Sequence, residues 1–319
     1  MGKKNLKSQL QFAIQSCFQG NSRQAGGFGA SKHSDMVSNQ KNGKIYSWSS
    51  YHSRVDVACQ FAAYVKENYP RVVEARQLTS EMAESFLLSK SASCTTETLD
   101  CYRSNLCSLG DNINRTYTSA KVDLRVSKIV GTTANQATRC KAMTDAHIEA
   151  IRSSYKVGST GYTAVSLASV TGCRCSELVR LKPEQIEINN STAVVQVLGG
   201  KGNRDRKIFI SDPAAIQKLS EIKAASTSGE RILSCKSGSL QKSLNRHMAA
   251  LSDGAGGSLK DFYKHTSYHS IRKNWAQKQF DFYRQSHTRQ ESLDFVSKQL
   301  GHNAGRDLAT LQRYVSNIY

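Results

Sequence analysis

The chain has 319 residues, of which 39 % are apolar and 22 % charged. That composition suits a folded protein with a sizeable core, in one large or two modest domains. Its 44 lysines and arginines against 25 aspartates and glutamates leave a formal charge of +19. Such an excess points to a polyanion, nucleic acid before all others. No apolar run reaches the ~18–20 residues of a membrane span, and no apolar signal core follows the N-terminus, so no membrane partner is expected. Nine cysteines, an odd number with no CxxC pair, read as reduced thiols; Cys173 and Cys175 are too close in sequence for the usual zinc-ligand spacings.

Residues 1–45 read as a basic N-terminal arm, with Lys3, Lys4, Lys7, Arg23, Lys32 and Lys41 against Asp35. Within it, Leu6, Leu10, Ala13, Ile14 and Cys17 recur at helical spacing, so a short helix over 5–18 is expected. The arm either contacts DNA or a partner, or is a leader without a role. Residues 46–128 read as an all-helical domain. Ser47 to Lys66 carries an apolar stripe from Val55 to Val65, and Asn68-Tyr69-Pro70 ends it. Thr79 caps a helix to Ser89 that buries Met82, Phe86 and Leu87. Thr95 to Leu109 is a third helix, which Gly110 is expected to stop. Lys121 to Ser127 is a candidate fourth. Residues 129–140 read as a linker.

Residues 141–319 form the second domain. Helices are expected over Thr144–Ser153 and Thr160–Val170, with a break at Thr171-Gly172 and a resumption over Arg174–Leu181. The valine-rich Thr192–Leu198, the turn Gly199–Asp205 and the strand Arg206–Ile210 make a β-hairpin. Asp212-Pro213 opens a helix through Ala224. Further helices are expected over Leu240–Leu251, Ser270–Phe282 and Glu291–Leu300. The fold class is therefore mostly α with a small antiparallel β-sheet, in two domains.

The chemistry gathers near the C-terminus, in Q-L-G-H-N-A-G-R-D-L-A-T-L-Q-R-Y from Gln299 to Tyr314. A tyrosine hydroxyl, with its ordinary pKa near ~10, is a poor nucleophile at neutral pH. It needs groups that take its proton and stabilise the charge it creates. Four earlier pieces could supply them. In Thr171-Gly-Cys-Arg-Cys-Ser-Glu-Leu178, Arg174 opens a helix, where backbone N–H groups and a guanidinium can converge on a phosphate. Glu177 could brace it, or the two could form an ordinary i,i+3 surface pair. Lys201, in a hairpin that is not a P-loop, could protonate a leaving oxygen or be a solvated turn lysine. His269 and Arg272, one helical turn apart, suit an anionic oxygen. Leu300-Gly-His302 precedes the tyrosine, which could also simply pack with Leu308 and Leu311.

Arg174, Lys201, His269-x-x-Arg272, Gly301-His302 and Tyr314, in that order within one basic domain, resemble the tyrosine recombinase (phage integrase) family. The match covers the whole second domain, and the preceding helical domain resembles the family's core-binding, DNA-contacting domain. The resemblance implies that Arg174, Arg272 and His302 surround the scissile phosphate, with Lys201 as general acid for the 5′-oxygen, His269 as general base or charge partner and Glu177 as brace. Tyr314 would attack phosphorus, leaving a 3′-phosphotyrosyl link, with no ATP, metal or other cofactor.

The gap from His302 to Tyr314 is longer than the family's usual one. Tyr319 competes as nucleophile but lacks the Thr310-x-x-x-Tyr314 context. Little chain follows Tyr314 for the C-terminal exchange the family often uses, so subunits are expected to communicate through other surfaces or the tyrosine-bearing helix.

The implied partners are duplex DNA and three further copies of the chain, a homotetramer on two DNA sites joined through a Holliday junction. An accessory DNA-bending protein is allowed as a further partner. The implied setting is the bacterial cytoplasm, on DNA. Candidate DNA contacts are Arg204 and Arg206 on the hairpin and Lys242 and Arg246, spaced i,i+4 on a helix; a merely solvated basic face is the alternative. The leading expectation is a mobile-element integrase. Its rivals are a type IB topoisomerase-like enzyme that relaxes DNA, and an inactive DNA-binding protein of the same fold.

Overall fold

A computed structural model describes residues 5–20, 43–132, 141–200, 205–264, 267–301 and 314–315. The chain divides into two compact units, Met1–Ala137 and Thr138–Tyr319. Among the described residues there are twelve α-helices and one three-stranded sheet, and no helix is long and apolar enough to cross a membrane.

The first unit holds α1 (Leu6–Ser16), α2 (Trp48–Asn68), α3 (Ser80–Ser91) and α4 (Thr96–Thr116). Each begins on a side-chain cap. Asn5, Ser47, Thr79 and Thr95 accept a backbone N–H from the first turn, satisfying a donor the helix leaves free. The helix expected over 5–18 forms, but it belongs to the core rather than to an arm. Leu10, Ala13 and Ile14 are fully buried with Phe61 and Val65 of α2 and with Leu106, Leu109 and Ile113 of α4. The rest of the expected arm, residues 21–42, lies outside the described residues.

Two expectations for this unit need correction. Gly110 does not stop the third helix, which runs on to Thr116. A β-carbon there would stand 3.4 Å from the backbone of Val122 and Leu124, so the glycine lets a neighbouring segment pack close. That segment is the expected fourth helix, and it is extended instead. Val122 and Leu124 are buried while Lys121, Asp123 and Arg125 are exposed, a period of two. The Asn114 side chain exchanges two 2.8 Å bonds with the backbone of Val122 and holds the segment along α4.

The second unit is built round α6 (Thr160–Thr171), which is buried on most sides through Ala164, Val165, Leu167, Ala168 and Val170. Around it lie α5 (Asp145–Ser153), α7 (Cys175–Leu178), α8 (Pro213–Ala224), α9 (Ser237–Ala250), α10 (Leu259–Phe262), α11 (Ser267–Arg284) and α12 (Arg289–Leu300). The sheet is an antiparallel meander of β1 (Ile186–Ile188), β2 (Ala193–Val197) and β3 (Arg206–Ile210), with Val195 paired to both Ile186 and Ile208. The expected hairpin is β2–β3. β1 is an addition, a three-residue strand directly after the turn Pro183–Gln185 and too short to show a period. The resumption expected over Arg174–Leu181 is only the four-residue α7. The sheet's inner face, Ile186, Ala193, Val195, Val197, Ile208 and Ile210, joins the same core as α6, α11 and α12.

Candidate active site

The site starts where α6 ends. Gly172 takes the left-handed conformation, φ +59° and ψ 18°. A β-carbon on it would stand 2.4 Å from the Trp275 ring. Only glycine meets both conditions, so the chain turns sharply beneath α11 and presents Arg174 at the start of α7. Trp275 is fixed in turn, because its Nε1–H donates to the Val170 carbonyl at 3.1 Å.

Glu177 then closes on Arg174. Its carboxylate accepts the Arg174 backbone N–H at 2.8 Å and the Arg174 Nη1 at 2.8 Å. It also accepts a parallel fork from Arg206, Nη1 at 2.9 Å and Nη2 at 2.7 Å. The Glu177 side chain is 1 % exposed and that of Arg206 6 %. Burial pushes the Glu177 carboxyl up, but the bonds and charge of Arg206, with help from Arg174, outweigh it and bring the pKa down to about 2. Burial acts against Arg206 too, and Glu177 more than offsets it, so the guanidinium is held above its ordinary pKa.

Arg272 projects from α11 into the same cluster and is 1 % exposed. Its Nη1 donates to the Gly172 carbonyl at 2.5 Å and its Nη2 to the Leu300 carbonyl at 2.6 Å. That Leu300 oxygen is also an acceptor for Arg174 Nη2 at 3.3 Å. It is available because α12 ends at Gly301 in the left-handed conformation, φ 73°. Burial, and then the charge of Arg174, pull the Arg272 pKa down to about 10. That still leaves it charged at neutral pH. Its buried Nε–H has no acceptor among the described residues.

One turn before Arg272, His269 lies edge-on to Tyr314, with ring centroids 5.1 Å apart. The Arg272 guanidinium stands 5.6 Å from the centroid of the Tyr314 ring. Tyr314 is half-buried and is followed by Val315, a core residue at 2 % exposure. Fold and packing thus bring Arg174, Glu177, His269, Arg272 and Tyr314 into one place, from α7, α11 and the C-terminal segment. An arginine cluster beside a phenol can hold a phosphodiester and stabilise added negative charge on it.

Lys201, Arg204, His302 and the expected tyrosine-bearing helix before Tyr314 lie outside the described residues, as does Tyr319. Lys242 and Arg246 are exposed on α9.

Arg206 is the one candidate residue whose expected placement the geometry revises. It was expected on the surface as a DNA contact, yet its donors are engaged inside the protein, including Nε–H to the Gln299 carbonyl at 2.7 Å. Strand alternation carried the signal: Arg206 shares its face with the buried Ile208 and Ile210, whereas Lys207 and Phe209 point outward. The roles of the Leu300 and Gln299 carbonyls had no sequence signal, since every residue carries a carbonyl.

Among the described residues, no group of three or more His, Cys, Asp or Glu side chains is arranged to hold a metal ion. The model of the phage integrase family matches residues 133–319. No curated protein sequence gives a significant match. Among solved structures, the fold is similar to XerH site-specific recombinase bound to palindromic difH substrate in a post-cleavage complex. That match has TM-score 0.58 and 15 % identity over 97 % of this chain and 90 % of the other. A lambda integrase tetramer bound to a Holliday junction gives TM-score 0.54 and 15 % identity over 98 % and 78 %. The Tn1549 transposon integrase in complex with circular intermediate DNA gives TM-score 0.53 and 12 % identity over 97 % and 95 %. At these identities the likeness is one of fold. The family match takes in more than half of the chain, and with it the chain belongs to the phage integrase family: it is a tyrosine recombinase, an enzyme that breaks and rejoins DNA.

Proposed function

We propose that this recombinase cuts and reseals duplex DNA with Tyr314 as the nucleophile. The Tyr314 oxygen forms a bond to phosphorus while the bond from phosphorus to the 5′-oxygen breaks. The products are a 3′-phosphotyrosyl link and a 5′-hydroxyl. His269 takes the phenol proton, and Lys201 protonates the departing oxygen. Arg174, Arg272 and His302 hold the non-bridging oxygens, whose charge grows in the transition state. The phosphodiester energy is kept in the covalent link, so resealing by another 5′-hydroxyl needs no ATP.

The observation that carries this reading is the convergence of Arg272, His269 and Tyr314, with guanidinium and imidazole 5.6 Å and 5.1 Å from the phenol ring. The buried Arg272 Nε–H without an acceptor among the described residues supports an anionic ligand there, because a buried donor left unpaired costs ~1–3 kcal/mol. Two fixed arginines cost no reorganisation when the charge develops.

The proposal extends to the whole reaction. A homotetramer holds two DNA sites and exchanges strands through a Holliday junction, as the integrase of a mobile element. The XerH, lambda and Tn1549 structures are DNA complexes of recombinases or integrases by their own descriptions, which supports the class of substrate. The +19 charge and the exposed Lys242 and Arg246 support binding through phosphates that weakens steeply with salt.

The test uses a supercoiled plasmid carrying two copies of the DNA that borders the gene. Recombinant circles and four-way junctions support the proposal. Relaxation without recombinants replaces it with the topoisomerase-like reading. Binding without any covalent product replaces it with the inactive-fold reading.

A further inference from the structure

Arg206 stands at the centre of the arginine cluster yet does not face solvent. Its fork grips the Glu177 carboxylate, and its Nε–H donates to the Gln299 carbonyl at 2.7 Å. Its Cδ lies 3.0 Å from where a β-carbon on Gly301 would stand. Gln299 is held from its other end as well, because its Oε1 accepts the backbone N–H of Phe209 at 3.0 Å. One side chain therefore ties β3 to α7 and to the last turn of α12.

Both ties lead to Arg174 and Arg272, the arginines proposed above to hold the phosphate. The Glu177 carboxylate fixes the backbone and Nη1 of Arg174. The Gln299 carbonyl precedes that of Leu300, which takes a second donor from Arg174 and one from Arg272. We infer that Arg206 is a positioning residue for DNA cleavage, setting Arg174 through Glu177 and Arg272 through the end of α12 without touching the DNA itself. The inference rests on the phosphotyrosyl reading proposed above. Lysine can replace it only in part, since one ammonium keeps the charge beside Glu177 but cannot grip both carboxylate oxygens and reach the Gln299 carbonyl in the same geometry.

Arg206 also sets the charge state of Glu177. It lies behind the largest opposition to burial, which on its own raises the carboxyl pKa. Without Arg206 the carboxyl takes up a proton at a higher pH, and Arg174 then loses its anchor as the solution is acidified. A residue that only filled space would produce no such limb.

The experiment compares wild type with Arg206→Gln, Arg206→Lys and the double variant Glu177→Gln/Arg206→Gln. Single-turnover formation of the covalent adduct on nicked DNA is followed from pH 5 to 8, alongside DNA binding by fluorescence polarisation. Arg206→Gln is expected to lose roughly 10²-fold in rate, the scale of a ~1 Å misplacement, with binding kept within about threefold, since one contact buried inside the protein does not touch the many phosphate contacts. Beyond the acid limb that His269 as base gives every variant, it also gains a further one that the double variant lacks, because the amide cannot titrate. Arg206→Lys recovers part of the rate.

In parallel, the ¹³C signal of the Glu177 carboxyl, assigned with Glu177→Gln, is titrated in folded protein. Its midpoint rises in Arg206→Gln. A wild-type rate and pH profile in Arg206→Gln, or an unmoved Glu177 midpoint, would overturn the inference. If wild type forms no adduct at all, the phosphotyrosyl proposal fails by itself, and the carboxyl titration still decides whether Arg206 governs Glu177.

Discussion

Arg174 and Arg272 come from different helices and donate to the same oxygen, the Leu300 carbonyl, at 3.3 Å and 2.6 Å. Two like charges meet there because the Glu177 carboxylate, gripped by Arg206, offsets them in part, and because α12 ends on a residue that leaves the carbonyl free. The two guanidiniums are therefore fixed relative to each other before any DNA arrives.

Removing either guanidinium should stop cleavage without removing binding. Arg174→Ala, and Arg272→Lys, whose ammonium cannot reach both the Gly172 and Leu300 carbonyls, should each lower adduct formation by at least ~10²–10³-fold. DNA affinity should stay within several-fold, since one phosphate contact among many is lost. Gel-shift and adduct assays on the same DNA check this. Loss of binding in step with cleavage would make the residue structural.

Glu177 ties stability to acid. Its pKa falls from 4.5 unfolded to about 2 folded, so folding favours the ionised form. The stabilisation is fully present above the unfolded value and is lost as pH falls from about 4.5 towards about 2. It amounts to the order of 3 kcal/mol. Glu177→Gln should melt at a lower temperature than wild type at pH 7, because it leaves Arg206 buried without its counter-charge. The gap should narrow towards pH 2. Thermal melts across that range test the sign, and a gap that widens on acidification would contradict it.

Gly172→Ala should destabilise the second unit by about 3 kcal/mol, combining a left-handed backbone with an overpacked Trp275 contact. The melting point of that unit should fall by roughly 10 °C. Calorimetry would show it, and a shift within ~2 °C would mean the turn is not held as described.

Leu10→Ala should cost the first unit about 2–5 kcal/mol, because Leu10 is fully buried against α2 and α4. A change near zero, read from urea unfolding, would return α1 to the status of an arm.

Most of the helices were legible from side chains that act locally. Thr79, Thr95 and Thr144 cap because a hydroxyl meets a free N–H three residues on, a relation sequence spacing contains. Arg174, His269, Arg272 and Tyr314 each carry a weak local signal, and it was their order within one basic domain, with its resemblance to the tyrosine recombinase family, that singled them out as candidates. Gly110 was misread because its reason is tertiary: a segment packs against it that local signals cannot announce. Arg206 was misread because a basic residue beside Arg204 and Lys207 looks like surface charge until strand alternation is followed through Ile208 and Ile210. Residues 121–127 were misread because a short apolar pattern fits a helix or a strand equally well until Asn114 decides it.

The most direct test of the central claim is covalent trapping. Wild type, Tyr314→Phe and Tyr319→Phe are incubated with nicked duplex DNA from the gene's borders and run on a denaturing gel. A slow band with wild type and Tyr319→Phe, absent with Tyr314→Phe, is the predicted result. A band that survives Tyr314→Phe would contradict the account and place the nucleophile elsewhere.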